Sequence, residues 1–180
     1  EFEQWSQRGL SGRRYVYWWV DGIYFNVRLD DTARPCVLVI MGALKEGTKE
    51  LIAVVDGERE SKLSWQALLS NLKKRGLTLA PKVAVGDGAL GFWAALEEEY
   101  PGVTRQRCWV HKTANVLDKL PKSVQAAAKV HLHEMYLSPT RASARQAYER
   151  FFKLYGDKYP KACACLQHDE AILFSFYDFP

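Results

Sequence analysis

Blocks of apolar residues dominate the first third of the chain. The block Tyr15–Arg28 is rich in β-branched and aromatic residues, which is typical of a strand. Two more apolar blocks, Cys36–Leu44 and Glu50–Val55, follow it closely. Residues typical of turns separate the three blocks: Asp30, Asp31, Pro35 and Lys45–Thr48. Three strands joined by short turns predict an antiparallel meander.

Helical spacing begins after the charged segment Asp56–Ser61. An apolar helix face is formed at positions i, i+3, i+4 and i+7 by Trp65, Leu68, Leu69 and Leu72. Ser64 is a candidate cap at the start of this helix, and Gly76 is a candidate end. A short apolar strand, Lys82–Val85, comes next, then a second helix that includes Leu90–Tyr100, and then a fifth strand, Thr104–Val110.

From Lys112 onward the pattern predicts helices only. Three prolines stand near the expected helix starts: Pro121, Pro139 and Pro160. One later helix has an aromatic face made of Tyr148, Phe151, Phe152 and Tyr155, and Gly156 ends it. The element order β-β-β-α-β-α-β predicts an α/β fold with a five-stranded mixed sheet. The predicted organisation is a lead-in segment, 1–14, a core, 15–111, and a helical subdomain, 112–180.

Two aspartates stand at positions where a carboxylate could bind a metal ion or take part in catalysis. Asp21 lies in the first apolar block, and Asp87 follows the fourth strand between Gly86 and Gly88. If the first and fourth strands are neighbours, the two acids face each other, and a divalent cation relieves their repulsion. Mg²⁺ and Mn²⁺ suit such hard oxygen ligands. The alternative is that both are turn residues, since Asp21-Gly22 is also a strong hairpin signal.

A second motif overlaps this position. Gly86, Gly88 and Gly91 spell G-x-G-x-x-G after a strand and before a helix, which is the dinucleotide-binding pattern. That pattern requires an acid at the end of the next strand, and Thr104–Val110 contains none. It also usually opens a βαβ series, whereas a meander precedes it here. A nucleotide-binding enzyme therefore remains only a minor alternative.

Composition narrows the class of protein only slightly. The chain has 180 residues, 48% of them hydrophobic, and a net charge of +4, which is weak support for nucleic-acid binding. This fraction of hydrophobic residues is enough to form a core, which argues against a disordered chain. Neither a signal peptide nor a membrane span is predicted, so we expect reduced thiols and a cytoplasmic protein. Both ends resemble cuts through a longer protein.

Cysteines and histidines give a further, weaker pattern. Cys108-x-x-His111 ends the predicted fifth strand, and Cys163-x-Cys165-x-x-His168 lies in a helical stretch. Together they are possible halves of a zinc site, but the second spacing is unsuitable for one helix face, and buried thiols are the favoured interpretation. His131 and His133 are two residues apart on a helix and cannot chelate one ion together. We expect both to be surface residues, and Trp65, Trp93 and Trp109 to be core residues.

The order of these elements resembles the catalytic domain of mutator-type transposases of bacterial insertion sequences, members of the DDE, ribonuclease H-like superfamily. The resemblance runs from about Trp5 to Pro180. The segments that carry it are VDGIYFNVR (20–28), GALKEGTKELIAVVDGE (42–58), LLSNLKKRGL (68–77), VGDGALGFWAALEEEYPG (85–102), QRCWVHK (106–112) and FYDFP (176–180). It implies a ribonuclease H-like sheet of strand order 3-2-1-4-5.

The resemblance also implies roles for single residues. Asp21 and Asp87 match the first two catalytic acids, which hold two Mg²⁺ or Mn²⁺ ions, and Cys108 and His111 match the family's C-x-x-H signature. Lys112 onward matches a helical insertion before the third acid, a Glu on a later helix. Neither Glu170 nor Asp178 is in its place, so we expect this chain alone to be inactive.

The implied partner is DNA, both at the element ends and at the target. The resemblance also implies a homo-oligomer on DNA and no membrane association. The implied location is the bacterial cytoplasm, at the nucleoid. DNA contacts are predicted for six basic residues: Arg13, Arg14, Lys73, Lys74, Arg75 and Lys112. The implied function is transposition by DNA cleavage and strand transfer. The alternative is a non-catalytic DNA-binding or oligomerisation remnant of a truncated element.

Overall fold

The computed structural model describes residues 1–25, 36–57, 61–88 and 90–179. The chain divides into two compact units, Glu1–Arg105 and Gln106–Pro180. The domain boundary predicted between residues 111 and 112 falls inside a helix of the second unit, Trp109–Leu117. Among the described residues, no helix combines the length and apolar character that a bilayer crossing requires.

A five-stranded sheet organises the first unit, in the order β3-β2-β1-β4-β5. The strands are β1 (Tyr15–Tyr24), β2 (Cys36–Leu44), β3 (Lys49–Gly57), β4 (Val83–Gly86) and β5 (Thr104–Arg107). β2 pairs antiparallel with both β1 and β3, whereas β4 pairs parallel with β1. The predicted α/β class, the meander and the strand order 3-2-1-4-5 are all confirmed.

The central strand settles one alternative. Asp21 and Gly22 lie inside β1, with Val39 and Leu38 of β2 as their partners. The hairpin-turn interpretation of Asp21-Gly22 is therefore wrong, because the chain continues as a paired strand through both residues. β1 ends at Tyr24 rather than Arg28. The turn predicted at Asp30, Asp31 and Pro35 lies outside the described residues.

Three helices belong to the first unit: α1 (Phe2–Ser6), α2 (Lys62–Lys74) and α3 (Leu90–Glu99). α2 begins earlier than predicted, because the Ser61 hydroxyl, and not that of Ser64, is the cap; it accepts a hydrogen bond from the Ser64 backbone N–H at 3.2 Å. Gly76 ends α2 as predicted, with a φ of +98° that favours glycine.

One face of the sheet packs against α2 and α3. Trp18 of β1, Trp65 of α2 and Phe92 of α3 are all buried in one apolar cluster. The Trp65 and Phe92 rings meet edge to face with centroids 5.0 Å apart. Trp18 meets Tyr100 in the same way at 5.1 Å, and the Tyr100 hydroxyl donates to the Leu77 carbonyl at 2.7 Å. The predicted core roles of Trp65 and Trp93 are confirmed.

The second unit is helical. Its helices are α4 (Trp109–Leu117), α5 (Lys122–Leu137), α6 (Arg141–Tyr155), α7 (Pro160–Gln167) and α8 (Glu170–Leu173), followed by a 3₁₀ turn, Ser175–Asp178. The three prolines do mark helix starts: Pro121 caps α5, Pro139 precedes the Thr140 cap of α6, and Pro160 opens α7. α4 begins at Trp109, so the predicted fifth strand, Thr104–Val110, extends too far along the chain.

A separate apolar cluster holds the helical unit together. It includes Trp109 of α4 and the aromatic face of α6, in which Tyr148, Phe151 and Tyr155 are buried. The predicted aromatic face and the end of α6 at Gly156 are confirmed. His131 and His133 both lie on α5, but they are half-buried rather than fully exposed. The His131 Nδ1 atom lies 3.0 Å from the Tyr155 hydroxyl, which explains the partial burial.

Candidate metal centre

The register of the two parallel strands brings Asp21 and Asp87 level. Trp19 of β1 is paired with Val85 of β4, and each acid stands two residues further along its own chain. Asp87 immediately follows the last residue of β4, Gly86. Because neighbouring strands lie about 4.8 Å apart, a separation of about one strand spacing is expected between the backbones of the two acids.

The same register assigns both acids to one face of the sheet. Between Trp19 and Asp21 lies Val20, which is buried, and its counterpart in β4 is Gly86. A Cβ atom built on Gly86 lies 3.1 Å from Val20 Cγ2 and 3.1 Å from Trp93 Cζ2, so this position faces α3. Since side chains alternate along a strand, Asp21 is directed to the opposite face, and the same alternation continued one residue past the end of β4 predicts Asp87 on that face.

Aromatic residues precede Asp21 on its own face. The rings of Tyr17 and Trp19 stack with centroids 6.0 Å apart, which shows that they share that face. The ammonium of Lys49 lies 5.3 Å from the Trp19 ring centroid. Both aspartates are half-buried. The arrangement is therefore a carboxylate pair that solvent still reaches, beside a partly covered aromatic surface.

This donor set fits a hard divalent cation. Two carboxylates one strand spacing apart repel each other, and a cation bound by both converts that repulsion into attraction. Carboxylate oxygens are the ligands that Mg²⁺ and Mn²⁺ take. In the parts of the chain that the structure describes, no group of three or more His, Cys, Asp or Glu side chains is placed to hold a metal ion.

The G-x-G-x-x-G glycines have packing roles. Gly88 has a φ of +91°, and Gly86 packs against Val20 and Trp93 as described above. A Cβ atom on Gly91 would lie 2.8 Å from the backbone nitrogen of Lys62, so α3 and the start of α2 approach each other closely at this glycine. The close contacts of Gly86 and Gly91 and the positive φ of Gly88 give each glycine a structural reason that needs no nucleotide, which weakens the dinucleotide-binding alternative.

The C-x-x-H residues do not end a strand. β5 stops at Arg107, Cys108 precedes the first residue of α4, and His111 lies in the first turn of that helix. The fifth strand begins at Thr104 as predicted, but it ends at Arg107 and not at Val110, because the short apolar run Cys108–Val110 fits the start of a helix equally well. Cys163 and Cys165 lie on α7, where burial raises the pKa of the Cys163 thiol. All four cysteines lie in the described part of the chain, and none of them forms a disulfide.

The cations predicted to contact DNA fall into two groups. Arg14 and Lys74 are exposed. The others have partners within the protein: Arg13 pairs with Glu50 at 3.1 Å, Lys73 pairs with Glu99 at 3.1 Å, and the Arg75 Nε donates to the Arg8 carbonyl at 3.0 Å. Lys112 is only 3% exposed. Its burial removes Lys112 from the surface on which a DNA contact depends.

Lys112 instead belongs to an ion cluster that the sequence does not reveal. Its ammonium pairs with Asp169 Oδ2 and donates to the Cys165 carbonyl at 2.7 Å. Arg107 Nε pairs with the same Asp169 oxygen at 2.9 Å. The Asp169 carboxylate thus joins the start of α4 to the end of α7 within the helical unit. Sequence separation hides this cluster, since Asp169 is 62 residues from Arg107.

The whole sequence, residues 1–180, matches the family model described as "Transposase, Mutator family". The chain belongs to the Mutator family of transposases. Two of the similar proteins are transposases of bacterial insertion sequences that match the whole chain. The chain is 48% identical over 187 residues to the transposase for insertion sequence element IST2 of Acidithiobacillus ferrooxidans, covering 100% of this chain and 60% of that protein. It is 47% identical over 180 residues to the IS6120 transposase of Mycolicibacterium smegmatis, covering 100% of this chain and 55% of that protein.

More distant Mutator-family relatives match over nearly the same span. The transposase for element IS256 in transposon Tn4001 of Staphylococcus aureus is 30% identical over 167 residues, which cover 91% of this chain and 42% of that protein. The chain thus spans 60% or less of the length of these three relatives. The family prediction made from the motif order is confirmed.

Sequence reasoning missed the immediate neighbours of Asp21 in this transposase-family chain. Alternation along β1 places Tyr17 and Trp19 on the face of Asp21, and this signal is present in the printed sequence. The contact of Lys49 with the Trp19 ring depends on the pairing of three strands and has no local signal in the sequence. The sequence therefore predicts the two candidate acids, but only part of what surrounds them.

Proposed function

We propose that this chain is part of the catalytic core of a DDE-type, ribonuclease H-like DNA transposase, in which Asp21 and Asp87 hold divalent cations for DNA cleavage and strand transfer. One observation carries the proposal: the β1–β4 register pairs Trp19 with Val85, and Asp21 and Asp87 each follow two residues later, Asp87 directly after β4 ends. Family membership supplies the reaction class, because the relatives are named as transposases of insertion sequences.

The two acids have complementary supports in the fold. Asp21 is anchored inside the central strand, with β2 on one side and β4 on the other. Asp87 follows the end of β4, where the chain turns through Gly88 toward α3. A strand and a strand end would each hold one carboxylate in place, and ligands held in place are what a site for phosphoryl transfer requires.

The chemistry of the site follows from its charge. Two bound divalent cations, Mg²⁺ or Mn²⁺, would supply charge stabilisation for the attacking and leaving oxygens of a phosphodiester. Asp21 and Asp87 would hold that charge at the sheet surface and orient it toward the DNA backbone. Partial burial of both acids lowers the local dielectric, which strengthens their attraction for a cation.

The proposal includes an expected limit. The family resemblance assigns a third acid, a Glu, to a later helix beyond FYDFP. With two of three carboxylates, the 180-residue chain is expected to bind cations weakly and to leave DNA uncut, because positioning and charge neutralisation supply nearly all of this catalysis.

Thermal unfolding in rising Mn²⁺ tests the proposed metal site. At a free concentration tenfold above the Kd, binding stabilises the native state by about 1.4 kcal/mol, which corresponds to a rise in Tm of about 3–6 °C for a chain of this size. Asp21→Asn and Asp87→Asn are each expected to remove the Mn²⁺-dependent rise.

The matched control is Asp157→Asn, which changes the same charge at an exposed position of the helical unit. This variant is expected to keep the full rise. The quantity compared is the rise caused by Mn²⁺ and not the Tm itself, since loss of one carboxylate also relieves repulsion in the metal-free protein. An unchanged Mn²⁺ response in both Asp21→Asn and Asp87→Asn is incompatible with the proposed site.

A further inference from the structure

The net positive charge of the chain resides in the helical unit. Residues 106–180 contain 11 Lys and Arg against 7 Asp and Glu, whereas residues 1–105 contain 14 of each. The formal charge of +4 therefore belongs entirely to the second unit. A charge imbalance confined to one unit indicates that this unit meets a negatively charged partner.

More than half of the basic side chains of this unit form no ion pair with its described residues. All of its arginines, and Lys112, form ion pairs with acids of the same unit. The remaining lysines are exposed, and within the described residues none of them forms an ion pair: Lys119, Lys122, Lys129, Lys153, Lys158 and Lys161. These six lysines are the cations that the helical unit presents to solvent.

Three of these lysines fall on or beside one helix. Lys122 is the first residue of α5, Lys129 lies two turns further on the same face, and Lys119 stands just before the helix. Ala126, exposed and small, lies between Lys122 and Lys129 on that face. No acidic residue occurs from Lys119 to His133. We call Lys119, Lys122 and Lys129 the α5 lysine face.

The spacing of the α5 lysine face suits a DNA backbone. Residues seven apart on a helix are separated by about 10.5 Å along its axis. Along the axis of B-DNA, three base-pair steps of about 3.4 Å give nearly the same length. The small side chain of Ala126 leaves room for a phosphate backbone to approach the helix between the two lysines. Such contacts are made by charge and carry no sequence information.

We propose that the α5 lysine face binds the phosphate backbone of duplex DNA and holds the transposase substrate independently of its sequence. This inference rests on the proposed function in one respect, that DNA is the substrate. It does not need the metal site, because lysine–phosphate attraction requires no divalent cation. Duplex DNA is the committed partner, since the lysine spacing matches a regular polyanion and the family acts on DNA.

The test measures binding of the 180-residue chain to a fluorescently labelled duplex of arbitrary sequence by anisotropy, in EDTA, from 50 to 200 mM KCl. The triple variant Lys119→Gln, Lys122→Gln, Lys129→Gln is expected to bind more weakly on the order of tenfold or more at the lower salt concentrations. Its slope of log K against log salt is expected to flatten by about 2–3, close to 0.9 for each lost contact.

The matched control replaces Lys153, Lys158 and Lys161 by Gln, which removes the same charge from the same unit. The control is expected to keep most of the affinity and the salt slope. Because all six lysines are exposed, both triple variants are expected to unfold at the wild-type Tm. Equal losses in the two variants overturn the proposal in favour of a general charge effect, as does an unchanged slope in the α5 variant.

Vesicles of phosphatidylserine and phosphatidylcholine separate DNA from a membrane surface. The α5 lysine face is expected to bind DNA in preference to these vesicles at equal salt, and equal binding through the same three lysines overturns the assignment to DNA. Use of EDTA keeps this result independent of the metal site. A failed Mn²⁺ test with intact lysine-dependent binding rejects the proposed catalytic site alone, and the reverse pattern rejects the α5 lysine face alone.

Discussion

Replacing Asp21 or Asp87 by Asn in a full-length Mutator-family transposase that carries this segment is expected, under the proposed function, to reduce transposition by about 10²–10³-fold or more. The amide preserves the size of the side chain and removes the charge that would hold the proposed cations. Since the register predicts the two acids at one level of the sheet, loss of either is expected to leave the other unable to bind the same ions alone. Element excision, scored in cells with a marked insertion sequence, measures the effect.

Two controls define what this loss means. Asp157→Asn is expected to transpose at the wild-type rate, because this acid lies on the exposed surface of the helical unit. Amounts of each variant in the cell must match, since a destabilised protein also fails to transpose. Wild-type transposition by folded Asp21→Asn and Asp87→Asn proteins contradicts the assigned roles.

Removing Asp169 is expected to destabilise the helical unit by about 3–5 kcal/mol, because Asp169→Ala removes the carboxylate that pairs with the buried side chains of Arg107 and Lys112. The side chains of Arg107 and Lys112 are only 6% and 3% exposed, so water cannot replace the lost partner. Amide hydrogen exchange of α4 and α7, read by mass spectrometry, reports the local loss. Asp157→Ala, at an exposed position, is expected to change stability by less than about 0.5 kcal/mol.

The Asp169 cluster also predicts a direction of pH dependence. Burial raises the pKa of Asp169, but hydrogen bonds from Lys112 and His168 and the charges of Lys112 and Arg107 outweigh it, so the pKa lies below its usual value. A depressed pKa contributes stability that is present above the unfolded value, about 3.9, and is lost as the pH falls through the folded value.

Protection of α4 and α7 is therefore expected to fall below about pH 4. Asp169→Asn is expected to lack this component, so its protection changes less between pH 7 and pH 3 than that of the wild type. A wild-type and an Asp169→Asn protein that lose protection in parallel over this range contradict the role assigned to the carboxylate.

The strands of the first unit were largely predictable because their apolar blocks are separated by clear turn residues. β2 matches its predicted bounds, Cys36–Leu44, without change. The status of Asp21 was not predictable from its own sequence, since Asp-Gly fits both a turn and a strand. Pairing with β2 and β4 decides it, and these partners are distant in the chain.

Errors cluster where local and distant effects compete. The apolar run Cys108–Val110 is too short to distinguish a strand from a helix turn. The sequence therefore predicts Trp109 and Val110 in β5, whereas the structure has them in α4. The burial of Lys112 follows from Asp169, which is remote in sequence and gives no local signal. By contrast, the order of motifs along the whole chain carried the family assignment, because order survives such local errors.

Localised cleavage by iron tests the central claim most directly. Fe²⁺ bound in place of Mg²⁺ or Mn²⁺ generates hydroxyl radicals in the presence of ascorbate and peroxide, and these cut the backbone beside the ion. Mass spectrometry of the 180-residue chain is expected to find cuts near both Asp21 and Asp87, suppressed by excess Mg²⁺ and absent from Asp21→Asn. Cuts confined to other segments, or cuts near one acid that persist in Asp21→Asn, contradict a cation held jointly by the two aspartates.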